Sequence, residues 1–172
     1  EPRSKPILPP HIKISLINTS SLLFHHIPDV GLDRLLVSSG EPIGTSGVAT
    51  CFAICSIGIS QTGSTVLGLC HTSGCLQFKT ALHLLKSAMV HQQGAKARTI
   101  VTYVIGGQRP VRRLDYPGTL ATERKIIRMA KTEKIKGVLF NKTLGEREDS
   151  VLNVVLTSHD IYASHDLLFE IT

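Results

Sequence analysis

The sequence predicts an α/β fold: a layered, strand-rich sandwich in which two main helices pack on a central mixed sheet. Three observations lead to this prediction. Several short runs of apolar and β-branched residues are bounded by turn-forming residues, which is typical of buried strands. Two longer segments, 78–95 and 120–134, repeat apolar residues with helical periodicity. At 172 residues, the chain has the length of one domain with a proper core.

The N-terminal part predicts an arm followed by short strands. Residues 1–10 are rich in proline and are expected to form a flexible arm, so that one catalytic domain extends over 11–172. The run 12-IKISLIN-18 alternates as a strand does. Residues 20–36 are apolar but interrupted by proline and glycine, which predicts a short strand and a turn.

Two central strands contain the residues of greatest interest. The runs 45-TSGVATCFAICSIGIS-60 and 64-STVLGLCHTSGC-75 are joined by the turn-rich 60-SQTGS-64. Two strands linked by such a short turn lie side by side. Cys51 is on the first run and His71 is near the end of the second, so we expect the thiol and the imidazole to come close together.

Two helices and several strands are predicted in the second half. The segment 78–95 predicts an amphipathic helix that ends at Gly94, with an expected buried stripe of Ala81, Leu82, Leu84, Leu85, Ala88 and Met89. A second helix is expected over 120–134, capped by Thr119, with a buried stripe of Leu120, Ile127 and Ala130. The remaining strands are predicted at 98–107, 137–141, 151–158 and 167–172.

The charge and composition limit the class of partner. The formal net charge is +6, which favours acidic partners. Aromatic residues make up only 5% of the chain and tryptophan is absent, which argues against a surface that stacks on nucleic-acid bases. Apolar runs are all much shorter than the roughly 20 residues that span a bilayer, so no membrane insertion is expected.

The cysteine pattern favours free thiols. Four cysteines fall within 25 residues, inside or beside apolar strands: Cys51, Cys55, Cys70 and Cys75. This clustering indicates a reducing, cytosol-like compartment rather than a disulfide scaffold, although a Cys70–Cys75 disulfide stays open. A zinc site would use the spacing C-x3-C followed by H-x3-C, which differs from the usual C-x2-C spacing. We therefore expect no metal.

Three of these residues are the components of a nucleophilic acyl-transfer site. Cys51 would be the nucleophile, His71 the base that takes its proton, and Thr45, six residues before Cys51, the group that orients the imidazole. Cys55 follows Cys51 by four positions and is expected in the core. Cys70 is adjacent to His71 in a strand and is expected to point the other way.

The order of these parts resembles the chemoreceptor glutamine deamidase family, CheD, whose fold is akin to the catalytic domain of cytotoxic necrotizing factor. That family has a T-x-G-x-G-S-C strand, and 45-TSGVATC-51 keeps the threonine, one glycine and the cysteine at the same spacing. The next residues, 52-FAIC-55, are similar to the family's A-V-C, and His71 follows the small apolar run 66-VLGLC-70. A long helix, a strand closing in Gly-Gly and a second helix follow in the same order, so the resemblance covers roughly residues 40–160.

The resemblance implies a protein-glutamine deamidase that needs no cofactor. Cys51 would attack the side-chain amide of an exposed glutamine on a target protein, with the backbone N–H groups of Thr50 and Cys51 binding the oxyanion. The basic loop after the Gly-Gly pair would grip an acidic target surface through three side chains, those of Arg109, Arg112 and Arg113. Ala49 and Thr50 stand where the family has Gly-Ser, which favours a different target, such as that of a virulence effector secreted by a bacterium into a host cell.

Other functions remain open from the residues alone. A cysteine protease or a transglutaminase would use the same Cys-His pair. A non-catalytic module would use the positive charge to bind an acidic protein or nucleic acid. Peptide cleavage, amine incorporation or stable binding without turnover would identify these alternatives.

Overall fold

The computed structural model describes residues 12–17, 24–73, 77–107, 117–140 and 151–171, and within these it leaves out the side chains of 117–120, of Thr122 and of Ile171. The predicted arm, 1–10, lies outside the described residues. In chain order the elements are β1 (Lys13–Leu16), β2 (Phe24–Ile27), β3 (Arg34–Ser38), β4 (Ile43–Val48), β5 (Phe52–Ile59), β6 (Thr65–Thr72), α1 (Phe78–Gln93), β7 (Val101–Gly106), α2 (Pro117–Met129), β8 (Ile135–Phe140), β9 (Leu152–Leu156), β10 (Asp160–Ser164) and β11 (Phe169–Ile171).

The described residues form a layered sandwich. A four-stranded sheet with the order β1-β10-β9-β4 packs against a five-stranded sheet with the order β3-β6-β5-β7-β8. Helices α1 and α2 cover the other face of the five-stranded sheet, and the β11-β2 pair lies against the four-stranded sheet. Both larger sheets are mixed, because β1 runs parallel to β10 and β7 runs parallel to β8. The predicted α/β sandwich with two helices on a mixed sheet is confirmed.

Strand β5 is a continuous apolar run whose side chains pack into two hydrophobic cores, one on each face of its sheet. Ala53, Cys55 and Ile57 point between the two sheets, whereas Phe52 and Ile54 face the helices. Successive side chains of a strand point to opposite faces, and both faces of this strand are covered. The strand pairs with β6 through the turn at Ser60–Ser64, so the predicted side-by-side pair is confirmed.

Helix α1 buries a narrower stripe than predicted. Its fully buried side chains are Phe78, Leu82, Leu85 and Met89. Leu84, expected in the stripe, is 57% exposed, because it lies outside the row formed by these four side chains, which follow one another at spacings of four and three residues. The helix ends as predicted at Gly94, which has φ 69° and donates its N–H to the Val90 carbonyl.

Helix α2 corrects the predicted cap and the predicted stripe. It begins at Pro117, a residue suited to a first helical turn, so Thr119 lies inside the helix instead of capping it. Ile126 is fully buried while Ile127, expected in the stripe, is 60% exposed. The buried face is shifted by one residue because it also includes Glu123. Ala130 packs partly buried against the core, and the Leu120 side chain lies outside the description.

The strand prediction is wrong in three places. The run 45–60 is not one strand: β4 belongs to the four-stranded sheet and β5 to the five-stranded sheet, and the chain crosses between them at 49–51. Strand β3 begins inside the segment 20–36, for which the sequence predicts one short strand and a turn, and continues two residues beyond it. Strand β10 is missing from the prediction because it follows β9 after a tight turn, which Thr157 stabilises by accepting the N–H groups of His159 and Asp160.

Among the described residues, no helix is both long and apolar enough to cross a membrane.

Candidate active site

The candidate site lies where β4, β6 and the crossing between β4 and β5 meet. Thr45 comes from the four-stranded sheet, and His71 comes from the end of β6 in the five-stranded sheet. Cys51 lies at the crossing, one residue before β5. Thr45 is fully buried and His71 is 4% exposed, whereas Cys51 is partly exposed.

The hydrogen bonds of Thr45 define the tautomer of His71. Thr45 Oγ1 lies 2.8 Å from His71 Nδ1 and donates to the Val30 carbonyl oxygen at 2.6 Å. A threonine hydroxyl has one proton, and here it goes to Val30. His71 Nδ1 must therefore donate to Thr45, and the interaction of the ring with the same carbonyl acts to raise the pKa of His71. The neutral imidazole consequently carries its lone pair on Nε2, the atom that would act as the base.

His71 Nε2 is buried and has no hydrogen-bond partner in the part of the chain that the structure describes. Cys51 Sγ is therefore not in hydrogen-bonding contact with it. In the register of β5 and β6, Ala53 pairs with His71, and Cys51 precedes Ala53 by two residues. This places Cys51 next to the diagonal cross-strand position, where separations are about 7–8 Å. Cys51 and His71 are therefore close in the register but share no hydrogen bond.

Residues 28–33, which we call the clamp segment, tie the two sheets together at this site. On one side, Val30 N donates to the Gly44 carbonyl of β4 at 2.8 Å, and Gly44 N donates back to the clamp segment at 3.0 Å. On the other side, Asp33 N donates to the His71 carbonyl of β6 at 2.6 Å. The clamp segment therefore fixes the separation between the strands that carry Thr45 and His71.

Two aspartates of the clamp segment accept hydrogen bonds from serines that closely follow the site residues. Asp29 accepts from Ser46 N at 3.1 Å and from Ser46 Oγ at 3.2 Å. Asp33 accepts from Ser73 N at 3.0 Å and from Ser73 Oγ at 2.9 Å, and these bonds hold the pKa of Asp33 below its usual value. Both carboxylates therefore anchor the main chain beside the site.

The environment favours the neutral form of the histidine. Burial lowers the pKa of His71, while the negative charges of Asp29 and Asp33 act in the opposite direction. A neutral imidazole with a lone pair on Nε2 is the form that can take a proton from a thiol.

The glycine pair at the end of β7 holds the main chain of Cys51. Gly107 N donates to the Cys51 carbonyl oxygen at 3.0 Å. Gly106 has φ 129°, and a Cβ atom there would collide with the same carbonyl and lie 2.8 Å from Val48 Cγ1. Only glycine combines this backbone conformation with such a close approach.

The predicted oxyanion donors are placed at the crossing. In the described part of the chain, the N–H groups of Thr50 and Cys51 have no hydrogen-bond partner. Both residues are partly exposed. Gly47, with φ 72°, lies in the irregular pairing between Thr45 and Val48 that precedes the crossing. These N–H groups are therefore available to an incoming oxygen atom.

The other cysteines lie in unreactive environments. Cys55 is fully buried between the sheets, as predicted, and burial raises the pKa of its thiol above the usual value. Cys70 faces the helices, opposite to His71 as predicted, and burial raises the pKa of its thiol to about 11. Cys75 lies outside the described residues. In the described part, free thiols are found at Cys51, Cys55 and Cys70, and no group of three or more His, Cys, Asp or Glu residues could hold a metal ion.

Several residues escape sequence reasoning. Val30 acts through its main-chain carbonyl, which leaves no signal in the sequence. Asp29 and Asp33 read as ordinary turn residues. Glu123 is 2% exposed, and a Cβ atom on Gly107 would lie 3.0 Å from its Oε1, so this carboxylate is beside the glycine pair. The feature of the sequence that could have pointed to Glu123 is a carboxylate on the buried face of an amphipathic helix. The three arginines predicted to bind the target, Arg109, Arg112 and Arg113, lie outside the described residues.

Comparison with protein-family models and with curated proteins finds no match to this chain.

Proposed function

We propose that the protein is a cysteine-dependent amidohydrolase that deamidates a glutamine side chain on a target protein. One observation carries this proposal. The single hydroxyl proton of Thr45 goes to Val30, so Nδ1 of His71 is the donor and Nε2 keeps a lone pair at a buried position, on a residue that the register of β5 and β6 puts near Cys51. A histidine that serves only the core uses its ring nitrogens in hydrogen bonds, since an unsatisfied buried polar atom costs free energy.

The reaction would proceed through a thioester. His71 Nε2 accepts the thiol proton of Cys51, and the thiolate forms a bond to the carboxamide carbon of the glutamine. The resulting oxyanion accepts hydrogen bonds from the N–H groups of Thr50 and Cys51. His71 returns its proton to the departing nitrogen, so ammonia leaves as the C–N bond breaks. A water molecule, deprotonated by His71, then cleaves the thioester to give glutamate and the free thiol.

A CheD-like relationship is part of the same proposal. Support comes from the T-x-G-x-x-x-C spacing at 45–51 and from the order of the later elements. The strand that ends in Gly-Gly is part of the family pattern, and here the Gly106–Gly107 pair contacts the Cys51 main chain. This contact gives a structural reason for two glycines at the end of that strand. The departure at Ala49 and Thr50 favours a target other than a chemoreceptor.

The target would be an acidic protein surface that exposes a glutamine. The formal charge of +6 supports this class of partner, because opposite charge accelerates encounter. The free thiols at Cys51, Cys55 and Cys70 are consistent with a reducing compartment, such as the cytosol of a host cell entered by a secreted effector.

The decisive test is selective alkylation of Cys51. Iodoacetamide at low concentration and mildly acidic pH, followed by peptide mapping, is expected to label Cys51 first in the wild type. The rate is expected to fall in His71→Ala, with Cys70→Ala as a matched control that leaves the rate unchanged. Equal, slow labelling of all cysteines in both proteins would contradict an activated thiol.

Mass spectrometry of candidate target proteins then identifies the reaction. Deamidation increases the mass of a glutamine peptide by the difference between an amide and an acid, and it releases ammonia. Cys51→Ser should abolish both signals. Cleaved peptides would indicate a protease, incorporation of an added amine would indicate a transglutaminase, and stable binding without a mass change would indicate a binding module.

A further inference from the structure

We propose that Asp29 is a positioning residue of the active site, whose carboxylate holds β4 in place beside Thr45 and stabilises the protonated ring of His71 during turnover. Only its consequence for catalysis rests on the proposed deamidase function. The contacts themselves do not depend on which reaction the site performs.

Asp29 and the next residue hold Thr45 from two directions. The Asp29 carboxylate accepts from both Ser46 N and Ser46 Oγ, which fixes the residue directly after Thr45. The adjoining carbonyl, that of Val30, accepts the Thr45 hydroxyl proton. A displacement of Asp29 would therefore move both the strand that carries Thr45 and the Val30 carbonyl that accepts its hydroxyl proton.

Asp29 provides a negative charge near His71, which the neutral hydroxyl of Thr45 does not. Cys-His sites commonly orient the imidazole with an aspartate or asparagine, whereas a hydroxyl is neutral and does not offset the charge of an imidazolium. His71 is 4% exposed, so the positive ring that forms when it takes the thiol proton receives little help from water. A nearby carboxylate stabilises that charge.

The charged and titratable groups around the ring single out Asp29. From the clamp segment, Asp29 and Asp33 act on His71, and the charge of Asp29 has the larger effect. Asp33 is exposed and its effect is weakened by solvent. On β3, Arg34 pairs with His71 in the register but is exposed, and Cys51 is the titratable group at the crossing. The residue contributed by β4 is the neutral Thr45.

The test replaces the charge and keeps the shape. Asp29→Asn retains an oxygen that can accept from Ser46 N but removes the negative charge. NMR titration is expected to show the pKa of His71 lower than in the wild type, because the carboxylate charge that raises it is gone. The rate of Cys51 alkylation is expected to fall severalfold. Asp29→Glu should restore the pKa, and Asp166→Asn serves as a control that changes neither measurement.

An unchanged His71 pKa and an unchanged alkylation rate in a folded Asp29→Asn protein would overturn the proposal. If that variant does not fold, Ser46→Ala provides the second test, because it removes one of the bonds that hold Asp29. It is expected to slow alkylation of Cys51 severalfold, and a wild-type rate would count against the positioning role. Neither measurement uses a target protein, so failure to detect deamidation would be distinguishable from failure of this inference.

Discussion

Replacing Thr45 with valine tests the hydrogen bonds that hold His71 with almost no change in side-chain shape. The Thr45 hydroxyl is fully buried and bonds to the Val30 carbonyl at 2.6 Å and to His71 Nδ1 at 2.8 Å. Valine removes both bonds. The ring N–H keeps the Val30 carbonyl as a partner, so neither group is left entirely unsatisfied. Two hydrogen bonds at about 0.5–1.5 kcal/mol each give an expected loss of about 1–3 kcal/mol in the free energy of unfolding.

Thr45→Ser is the matched control, because it keeps the hydroxyl and removes only a methyl group, which costs about 1 kcal/mol. The two variants are therefore similar in stability but different at the site. Thr45→Val should slow the alkylation of Cys51 by about tenfold, because the tautomer of His71 is no longer held by the hydroxyl, whereas Thr45→Ser should stay near the wild-type rate. Urea denaturation gives the stability, and NMR of the ring nitrogens gives the tautomer.

A Thr45→Val protein in which Cys51 is alkylated at the wild-type rate, with Nε2 still unprotonated, would refute a role for the Thr45 hydroxyl. In that event the Val30 carbonyl alone would define the tautomer. Thr45 would then be a buried residue of the sandwich with no part in the chemistry.

Gly106→Ala should lower the free energy of unfolding by more than about 2 kcal/mol, because it adds a collision with the main chain to an unfavourable φ. Gly47→Ala, with open space around its Cβ position, should cost only about 1–2 kcal/mol in the same denaturation experiments. Equal losses in the two variants would exclude the collision. The free energy of unfolding should decrease as the pH falls below 6.5, the usual pKa of histidine, because burial lowers the pKa of His71 in the folded state and the unfolded chain takes up the proton first. His71→Asn should remove this part of the pH dependence, and an unchanged slope between pH 7 and about 5 would count against it. In native alkylation, Cys55 and Cys70 should react only as fast as the protein unfolds, and fast labelling of either would contradict their burial.

The strands and helices were predictable to different degrees, and the reason is physical. The pair of β5 and β6 was predicted because two apolar runs flank a short turn, which is local information. The crossing at 49–51 was not, because the sequence stays apolar through it and the assignment of β4 and β5 to different sheets depends on distant partners. The exposed side of α2 was misplaced by one residue because Glu123, a charged residue, lies on its buried face.

The residues of the candidate site could be predicted from the sequence. The groups that hold these residues in alignment could not. Thr45 and His71 are in contact as their spacing and chemistry suggested. Their alignment is completed by the Val30 carbonyl and by Asp29, which come from a segment that reads as an ordinary turn. Every residue has a main-chain carbonyl, so the role of the Val30 carbonyl cannot be predicted from the sequence. Aspartate is so common in turns, where it bonds to nearby backbone N–H groups, that its presence at position 29 does not point to a site.

The crossing between the sheets also explains why only one of two neighbouring cysteines is suited to be a nucleophile. Cys51 and Cys55 are four residues apart on one apolar run, so in one continuous strand their side chains would share a face. Inside β5, Cys55 is enclosed by both sheets, and burial keeps its thiol protonated by raising its pKa. Cys51 lies just before the strand begins, where the chain leaves one sheet for the other, so it is partly exposed and beside unpaired backbone N–H groups of the described chain. Continuing the pairing of β5 back through the crossing would give Cys51 the environment of Cys55. The break in the strand is therefore the feature that leaves the thiol accessible from solvent.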